Sequence, residues 1–464
     1  MDIQDTIAAV ATPIGIGGIG IIKISGSLSS QVAEKIFRKR KDSKASRLRP
    51  YHLHLGEIVN PSTQEIVDEV LLTYMPAPAS YTREDVVEIH CHSGYLILEK
   101  ILDLVLSHEG IRLAEQGEFT RRAFLNGRID LTQVEAIVDL INARSSIALR
   151  QATCQLKGTL SEKVFNFKER LITLVSNLEA SIDFPEEDIE VYSSEEILTK
   201  LKALKEELIE LVSTYQEGKF FREGIKVTII GRPNVGKSSL LNALLEEERA
   251  IVSHLPGTTR DTIEENATIY GIPITFVDTA GIPLYPITNP IEKKGVTLTR
   301  TKAFQADVVL FVLDSSALFS ENDMAIFQEF RGKRMIVVLN KADLPSKLDL
   351  FSLPPDLQDY QTVSLSAKYH QGIDGLKRGI RDVIFTGDDL LHPPVFINRL
   401  RHKMSFEKAI ESISQAMRTL EQGMSVEFVS LDLTLSLGYL GEVAGETTTE
   451  EILDHIFSEF CIGK

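Results

Sequence analysis

The chain has 464 residues, with 50 Lys and Arg against 66 Asp and Glu, so its formal charge is −16. At roughly 150 residues per domain this length predicts about three domains. The apolar content of 43% excludes a disordered chain, and three widely separated cysteines exclude a disulfide framework and suit a reducing compartment.

The first 120 residues predict an α/β domain, with short strands at Gly20–Ile24, Val67–Tyr74 and Val86–His90 between Gly/Pro turns. The uncharged stretch 6–22 contains a proline and four glycines and lacks a basic start, so we interpret it as buried strands and turns. We therefore expect a cytoplasmic protein without a membrane segment. Residues 15–20 fit G-x-G-x-x-G, but a strand rather than a helix follows, which argues against a dinucleotide site.

Residues 121–218 predict a helical domain, because apolar residues recur at spacings of three and four. Strands and helices alternate over 224–386, the pattern of a parallel sheet with helical crossovers. Helical texture returns over 387–464. This order predicts a doubly wound α/β domain inserted into a helical domain.

A phosphate-binding loop is predicted at Gly231-Arg-Pro-Asn-Val-Gly-Lys-Ser238, between a strand and the helix that starts near Ser239. The glycines allow backbone N–H groups to converge on phosphate oxygens, and the helix N-terminus adds positive charge. Lys237 is expected to reach the β- and γ-phosphates, and Ser238 to bind Mg²⁺.

Three more motifs follow in order, each at the end of a predicted strand: Asp278-Thr-Ala-Gly281, Asn340-Lys-Ala-Asp343 and Ser366-Ala-Lys368. The carboxylate of Asp343 can accept two hydrogen bonds from a guanine edge, which adenine cannot supply. The series predicts a GTPase.

The loop Pro256-Gly-Thr-Thr-Arg-Asp261 lies between the first two motifs and is expected to act as a switch, with Thr259 completing the Mg²⁺ shell. Ile282 stands where Ras-like GTPases carry a glutamine that orients water. Hydrolysis must therefore use another group: Glu292 is a candidate, although it also fits a solvated helix start. The amide oxygen of Asn234 can coordinate a monovalent cation inside the phosphate loop.

These features resemble the MnmE/TrmE family of tRNA-modification GTPases, and the resemblance runs from end to end. Outside the nucleotide motifs it rests on Gly17–Gly26, Tyr81-Thr-Arg-Glu-Asp85, Gly117–Arg128, Ile182–Asp188 and Phe460-Cys-Ile-Gly-Lys464. It implies an N-terminal folate-binding and dimerisation domain (1–120) and a helical domain in two parts (121–218 and 387–464). It also implies an inserted Ras-like G-domain (224–386).

The resemblance further implies GTP hydrolysis with Mg²⁺ and K⁺, and pairing of two G-domains. A homodimer would form a heterotetramer with an FAD-dependent partner, MnmG (GidA), which alone carries FAD. Together they would add an aminomethyl or carboxymethylaminomethyl group at C5 of the wobble uridine of certain tRNAs. The carbon would come from a tetrahydrofolate derivative, 5-formyl or 5,10-methylene.

Site residues follow by position in the family's motifs. The implied K⁺ ligands are Asn234, Ser253, Leu255 and Thr258; the implied Mg²⁺ ligands are Ser238 and Thr259. The implied folate contacts are Lys23, Glu88, Arg128 and Lys464, although lysine at position 23, where the family has arginine, lacks the bidentate fork. Catalytic roles fall on Glu292, Lys237 and Asn234. The full predicted GTP site is Asn234, Val235, Gly236, Lys237, Ser238, Ser239, Ser253, Thr258, Thr259, Asp278, Thr279, Ala280, Gly281, Asn340, Lys341, Asp343, Ser366, Ala367 and Lys368.

Several alternatives stay open at this point. The chain also fits a ribosome-assembly GTPase that acts as an RNA-binding switch, although it has one Gly-Lys-Ser motif and such proteins usually show a second G-domain or a separate RNA-binding module. The basic stretch 35–49 is either a solvated surface or an RNA contact. His90 and His92 are either polar packing or part of a metal site. Cys461 is either reactive or structural.

Overall fold

The computed structural model describes residues 5–13, 15, 17–39, 48–183, 192–246, 264–278, 303–348, 353–385 and 395–464. The chain divides into two compact units. The first takes Met1–Val138, Gln155–Val175 and Thr434–Lys464, and the second takes Asp139–Cys154 and Ser176–Leu433. Among the helices in these described ranges, none has the length and apolar character needed to cross a bilayer.

The first unit contains a seven-stranded sheet in the order β3-β4-β5-β6-β2-β1-β7. Neighbouring strands are antiparallel, except that β1 and β7 are parallel. The three strands predicted from β-branched runs are confirmed as β2, β5 and β6. The strands are β1 (Thr6–Val10), β2 (Gly20–Ser25), β3 (Phe37–Lys39), β4 (His54–Val59), β5 (Ile66–Met75), β6 (Val86–Cys91) and β7 (Ile111–Leu113).

Helices α1 (Ser29–Ile36) and α2 (Tyr95–Leu106) pack on one face of this sheet. Ile22 and Ile24 of β2 are fully buried in the core beneath them. Because side chains alternate along a strand, Lys23 lies on the opposite face.

Two further helices of the first unit, α4 (Leu131–Asn142) and α15 (Glu450–Ser458), bury an apolar cluster that includes Leu131 and Phe457. After them the chain returns to the sheet, where Ile462 forms a β-bridge with Gln116. Gly463 has φ +96°, and a Cβ there would lie 2.3 Å from the carbonyl oxygen of Val10, so glycine is required at this close approach. The helices that contribute to this unit are α3 (Glu118–Leu125), α4 (Leu131–Asn142), α5 (Ser146–Leu156), α6 (Thr159–Asp183), α14 (Val426–Ala444) and α15 (Glu450–Ser458).

The second unit contains a six-stranded sheet in the order β13-β12-β11-β8-β10-β9, parallel except for the β9–β10 pair. Its central strands are buried along nearly their whole length, as expected for a sheet with both faces covered. The strands are β8 (Ile225–Ile230), β9 (Glu264–Ile269), β10 (Ile272–Asp278), β11 (Val308–Asp314), β12 (Met335–Asn340) and β13 (Gln361–Ser364). The associated helices are α9 (Lys237–Glu246), α10 (Glu321–Glu329), α11 (Pro355–Gln358) and α12 (Ile373–Ile384).

Amphipathic helices on both sides of this sheet in the sequence also belong to the second unit. They are α7 (Ser194–Ser213), α8 (Tyr215–Glu223) and α13 (Leu400–Glu421). Helix α7 begins with a capping box between Ser193 and Glu196 and buries the leucines at positions 201, 204, 208 and 211. The predicted fold class, α/β domains with helical segments and a doubly wound nucleotide-binding sheet, is confirmed. The predicted domain boundaries divide the chain by secondary structure rather than by packing and stay a prediction.

A buried polar cluster within the second unit centres on Asp139. Its carboxylate accepts hydrogen bonds from Arg222 Nε at 3.1 Å, Arg399 Nη2 at 2.8 Å and Asn398 Nδ2 at 3.0 Å. The side chains of Asp139 and Arg399 are each 9% exposed. The cluster therefore joins α4, α8 and the segment before α13 through charge-assisted bonds.

Candidate functional site

The phosphate loop follows the carboxyl end of β8, the edge at which ligands bind in open α/β sheets. Gly231 has φ +148°, and a Cβ there would lie 2.4 Å from the carbonyl oxygen of Val312. Gly236 has φ +97°, and Asn234 also has a positive φ of 64°. These backbone angles form the tight turn that the Gly-rich motif predicts, and α9 starts directly after it at Lys237.

The side chain of Lys237 lies over this loop. Its Nζ donates to the carbonyl oxygens of Gly231 and Arg232, both at 2.9 Å. The ammonium group is thus held at the mouth of the turn, beside the first turn of α9 that carries the exposed Ser238 and Ser239. A cation and a helix N-terminus at one place favour a phosphate group.

Asn340, at the end of β12, connects the phosphate loop to the later motifs. Its Nδ2 donates to the carbonyl oxygen of Val235 at 2.8 Å. Its Oδ1 accepts from the backbone N–H groups of Lys341 at 2.8 Å and Ala367 at 3.0 Å. Asn340 is 2% exposed, so its role in the described residues is to hold three loops of the site together.

The Asp343 carboxylate is exposed at the same edge of the sheet. Its Oδ1 accepts a hydrogen bond from the hydroxyl of the buried Ser366 at 2.6 Å. This contact fixes the orientation of the carboxylate, as hydrogen-bonding to a guanine edge requires. The predicted motifs at 340–343 and 366–368 are therefore brought together, with Lys368 beside them in a short 3-10 turn.

Two ion pairs that the sequence analysis did not identify support the site. Lys341, with φ 65°, donates from Nζ to Asp314 Oδ2 at 2.6 Å. Burial opposes ionisation of Asp314, but hydrogen bonds from Lys341 and Ser316 hold its pKa below the ordinary value. Arg232 donates from Nε to the fully buried Asp323 at 2.7 Å, which ties the phosphate loop to the start of α10. In the sequence, the Ser320-x-x-Asp323 spacing of a capping box indicates a helix start at this position, but it does not indicate the contact with Arg232.

Several predicted site residues lie outside the described residues. They are Ser253, Leu255, Thr258, Thr259, Thr279, Ala280, Gly281 and Glu292. Asp278 is described only as the last residue of β10. Of the predicted K⁺ ligands, Asn234 is described, exposed on the phosphate loop.

A second candidate site is a cavity of about 440 Å³ in the first unit. Its apolar lining comes from Ile129, Ile137 and Leu156, and its polar lining includes Gln133. The cationic and aromatic lining residues are Lys23, Arg128, Lys464 and Tyr81. Three of the four residues that the family resemblance assigns to folate thus meet in one pocket.

Glu88, the fourth, lies beside Lys23, with its Oε1 3.9 Å from the Lys23 Nζ across the β2–β6 pair. Burial lowers the pKa of Lys23, and Lys464 adds to that shift while Glu88 opposes it. Arg128 lies 4.6 Å from the centre of the Tyr81 ring. A pocket with three cations, an aromatic ring and an apolar wall suits an anionic ligand with a flat ring system.

His90 and His92, near the end of β6, each lie beside a carboxylate. His90 Nε2 lies 3.5 Å from Glu88, and His92 Nδ1 lies 2.7 Å from Asp68. In the part of the chain that the structure describes, no group of three or more His, Cys, Asp or Glu side chains could hold a metal ion. For these two residues the contacts favour polar packing.

Family models match most of the chain. The model described as GTP-binding protein TrmE N-terminus matches residues 6–128, and that of the MnmE helical domain matches residues 131–461. The tRNA modification GTPase MnmE of Thermoanaerobacter sp. (strain X514) is 44% identical over 460 residues, with 99% of each chain covered. That of Syntrophus aciditrophicus (strain SB) is 46% identical over 462 residues, with 100% of each chain covered.

A solved structure of a Tyr-to-Ala variant of Aquifex aeolicus Era, bound to GDP·AlF4−, aligns with 40% of this chain and 66% of its own at 29% identity and a TM-score of 0.28. The chain belongs to the MnmE family of tRNA modification GTPases.

Proposed function

We propose that this protein hydrolyses GTP in order to support the modification of C5 of the wobble uridine of certain tRNAs. The observation that carries this proposal is the joining of the phosphate loop, Asn340 and the Asp343–Ser366 pair at one edge of the sheet, in a chain of the MnmE family. An FAD-dependent partner, MnmG, takes part in the reaction.

In the nucleotide site, the Lys237 ammonium, which the carbonyl oxygens of Gly231 and Arg232 hold over the phosphate loop, binds β- and γ-phosphate oxygens of GTP. Asp343, oriented by Ser366, accepts hydrogen bonds from the guanine edge. Ser238 and Thr259 hold Mg²⁺, which neutralises charge on the phosphates. The exposed position of Ser238 on the first turn of α9 fits this role.

For hydrolysis, Asn234, Thr258 and the carbonyl groups of Ser253 and Leu255 hold K⁺, and Glu292 positions the attacking water. Asn234 supports this proposal because its left-handed backbone and exposed side chain lie on the phosphate loop. The monovalent cation supplies positive charge that an arginine finger supplies in other GTPases. Hydrolysis accompanies the pairing of two G-domains.

The cavity in the first unit holds a one-carbon tetrahydrofolate, either the 5-formyl or the 5,10-methylene form. Its volume of about 440 Å³ lies within the range of small-molecule sites. Lys23, Arg128 and Lys464 bind the anionic part of the ligand, and the Glu88 carboxylate lies 3.9 Å from the Lys23 ammonium. Bound folate supplies the one-carbon unit; the side chains of this chain bind and orient it.

The remaining proposals concern the oligomeric state of the protein, its cellular location and its domains. The protein acts in the cytoplasm as a homodimer through the domain of residues 1–120, and with MnmG as a heterotetramer that binds tRNA. Residues 121–218 and 387–464 form its helical domain, and residues 224–386 form its G-domain.

The test is mass spectrometry of tRNA nucleosides from cells that lack the protein and are complemented with variants. Cells complemented with Lys237→Ala should lack the C5 aminomethyl family of modifications. Cells complemented with Lys226→Ala, which changes an exposed lysine on β8, should contain them. Intact modification in the deletion strain, with ribosomal subunits accumulating, would contradict the proposal and favour an assembly switch.

Binding of folate is tested by calorimetry with 5-formyltetrahydrofolate and the full chain. Arg128→Gln removes a lining cation and should weaken binding about tenfold. Arg150→Gln, an exposed arginine on α5, is the matched control. Equal affinity of both variants would refute the assignment of Arg128.

A further inference from the structure

Tyr81 occupies a central place among the charged residues of the cavity. We propose that Tyr81 is a positioning residue of this pocket, whose ring holds the Lys23 and Arg128 cations in place and whose hydroxyl is anchored by Thr120. Its identity as part of a folate site rests on the proposed function, but its effect on the two cations does not.

The contacts of the ring carry this inference. The Lys23 Nζ lies 5.3 Å from the centre of the Tyr81 ring and 5.4 Å from that of Phe119. The guanidinium of Arg128 lies 4.6 Å from the centre of the same Tyr81 ring. The two distances to the Tyr81 ring, 5.3 Å from Lys23 and 4.6 Å from Arg128, are within the range of a cation–π interaction. One ring therefore contacts two of the three cations that line the cavity.

A contact of the Tyr81 hydroxyl fixes the position of the ring. It lies 2.9 Å from the Thr120 Oγ1, and Thr120 is fully buried on α3. Tyr81 also packs against the apolar cluster of Ile7, Ala9, Ala114 and Phe119. The ring is therefore held by packing along its body and by a hydrogen bond at its tip.

Electrostatics explain why such a ring is needed. Lys23, Arg128 and Lys464 carry like charges around one cavity, and Glu88 contacts Lys23 at 3.9 Å. Without a ligand the cations repel one another, and Lys23 is only 15% exposed to screening water. The negative face of an aromatic ring stabilises these cations without adding a second anion, beyond Glu88, that would repel an anionic ligand.

Proton transfer by Tyr81 is a weaker explanation of the same geometry. Burial raises the pKa of Tyr81, while Thr120 and Arg128 oppose that shift. The hydroxyl thus stays protonated near neutral pH and is engaged by Thr120, which suits an anchor rather than an acid or base.

The first arm of the test needs no ligand. Lysines of the full chain are labelled with acetic anhydride, and mass spectrometry measures the rate at Lys23 relative to Lys100, which is 50% exposed. Tyr81→Leu should release the ammonium and raise the relative rate at Lys23 about fivefold. Tyr81→Phe keeps the ring and loses only the hydroxyl that contacts Thr120, so it should raise the rate by a smaller factor, about twofold. Tyr95→Leu, an exposed tyrosine of α2, should not change the rate.

A second variant protects the test against misfolding of Tyr81→Leu. Thr120→Val keeps the ring but removes its anchor, and should raise the rate at Lys23 in the same direction by a smaller factor. If neither variant changes the labelling of Lys23 in a folded chain, the positioning role is refuted.

The second arm measures affinity for 5-formyltetrahydrofolate. Tyr81→Leu should weaken binding about tenfold in the parent, but less than about twofold in an Arg128→Gln, Lys23→Met background, because the cations it positions are gone. Equal losses in both backgrounds would overturn the inference. If the parent fails to bind this folate, the folate proposal fails, while the labelling arm still decides the role of Tyr81.

Discussion

Replacing Asn340 by alanine should uncouple the phosphate loop from the base-binding loops. The side chain is 2% exposed and makes three hydrogen bonds, one to Val235 and two from the backbone of Lys341 and Ala367. Each such bond contributes about 1 kcal/mol, so their loss amounts to about 3 kcal/mol. If this cost falls on nucleotide binding, the Kd for GDP rises roughly 100-fold.

The assay is titration of the full chain with a fluorescent guanine nucleotide. Asn340→Asp is the diagnostic partner: it keeps the acceptor for the two N–H groups but places a carboxylate oxygen against the Val235 carbonyl. It should therefore also weaken binding. Asn266→Ala, on β9, removes the acceptor of an exposed hydrogen bond that the Thr275 hydroxyl donates, and it serves as control. A Kd for Asn340→Ala within about threefold of the parent would refute the reasoning.

Three further predictions concern other residues. Asp343→Asn replaces one acceptor oxygen by a donor, so the affinity for GDP should fall roughly 100-fold while the affinity for xanthosine diphosphate rises. Competition binding measures the two affinities, and an unchanged preference for guanine would contradict the role of Asp343. Asp139→Asn removes the charge that holds Arg222 and Arg399, and should cost about 3 kcal/mol and several degrees of melting temperature. Calorimetry measures the melting temperature of this variant and of the control Asp359→Asn, which changes an exposed carboxylate. Equal melting temperatures of the two variants would exclude a stabilising role for Asp139. Burial raises the pKa of Cys91 to about 11, so its thiol should resist disulfide reagents at pH 8 while the exposed Cys461 reacts. Because the thiol ionises at lower pH in the unfolded chain, the stability that buried Cys91 contributes is complete below its ordinary pKa of 9.0 and is lost as the pH rises toward about 11.

The sequence predicted features that depend on neighbouring residues. The phosphate loop, the strand at Gly20–Ile24 and the leucine face of α7 follow from local spacing, and the structure confirms them. The Arg232–Asp323 pair and the Asp139 cluster could not be predicted, because nothing near Asp139 indicates which cations it will contact. Tyr81 appeared only within a family motif, since its contacts with Lys23 and Arg128 come from three separate elements.

The return of residues 434–464 to the first unit affects the order of events during synthesis. The bridge between Gln116 and Ile462 and the packing of Gly463 on Val10 unite segments from opposite ends of the chain. The second sheet, by contrast, is built from residues 225–364. A domain whose residues have all been synthesised can fold while the ribosome is still synthesising the C-terminal part of the chain. We therefore expect the nucleotide-binding sheet to acquire its fold on the ribosome, and the cavity edge at Lys464 to form after release.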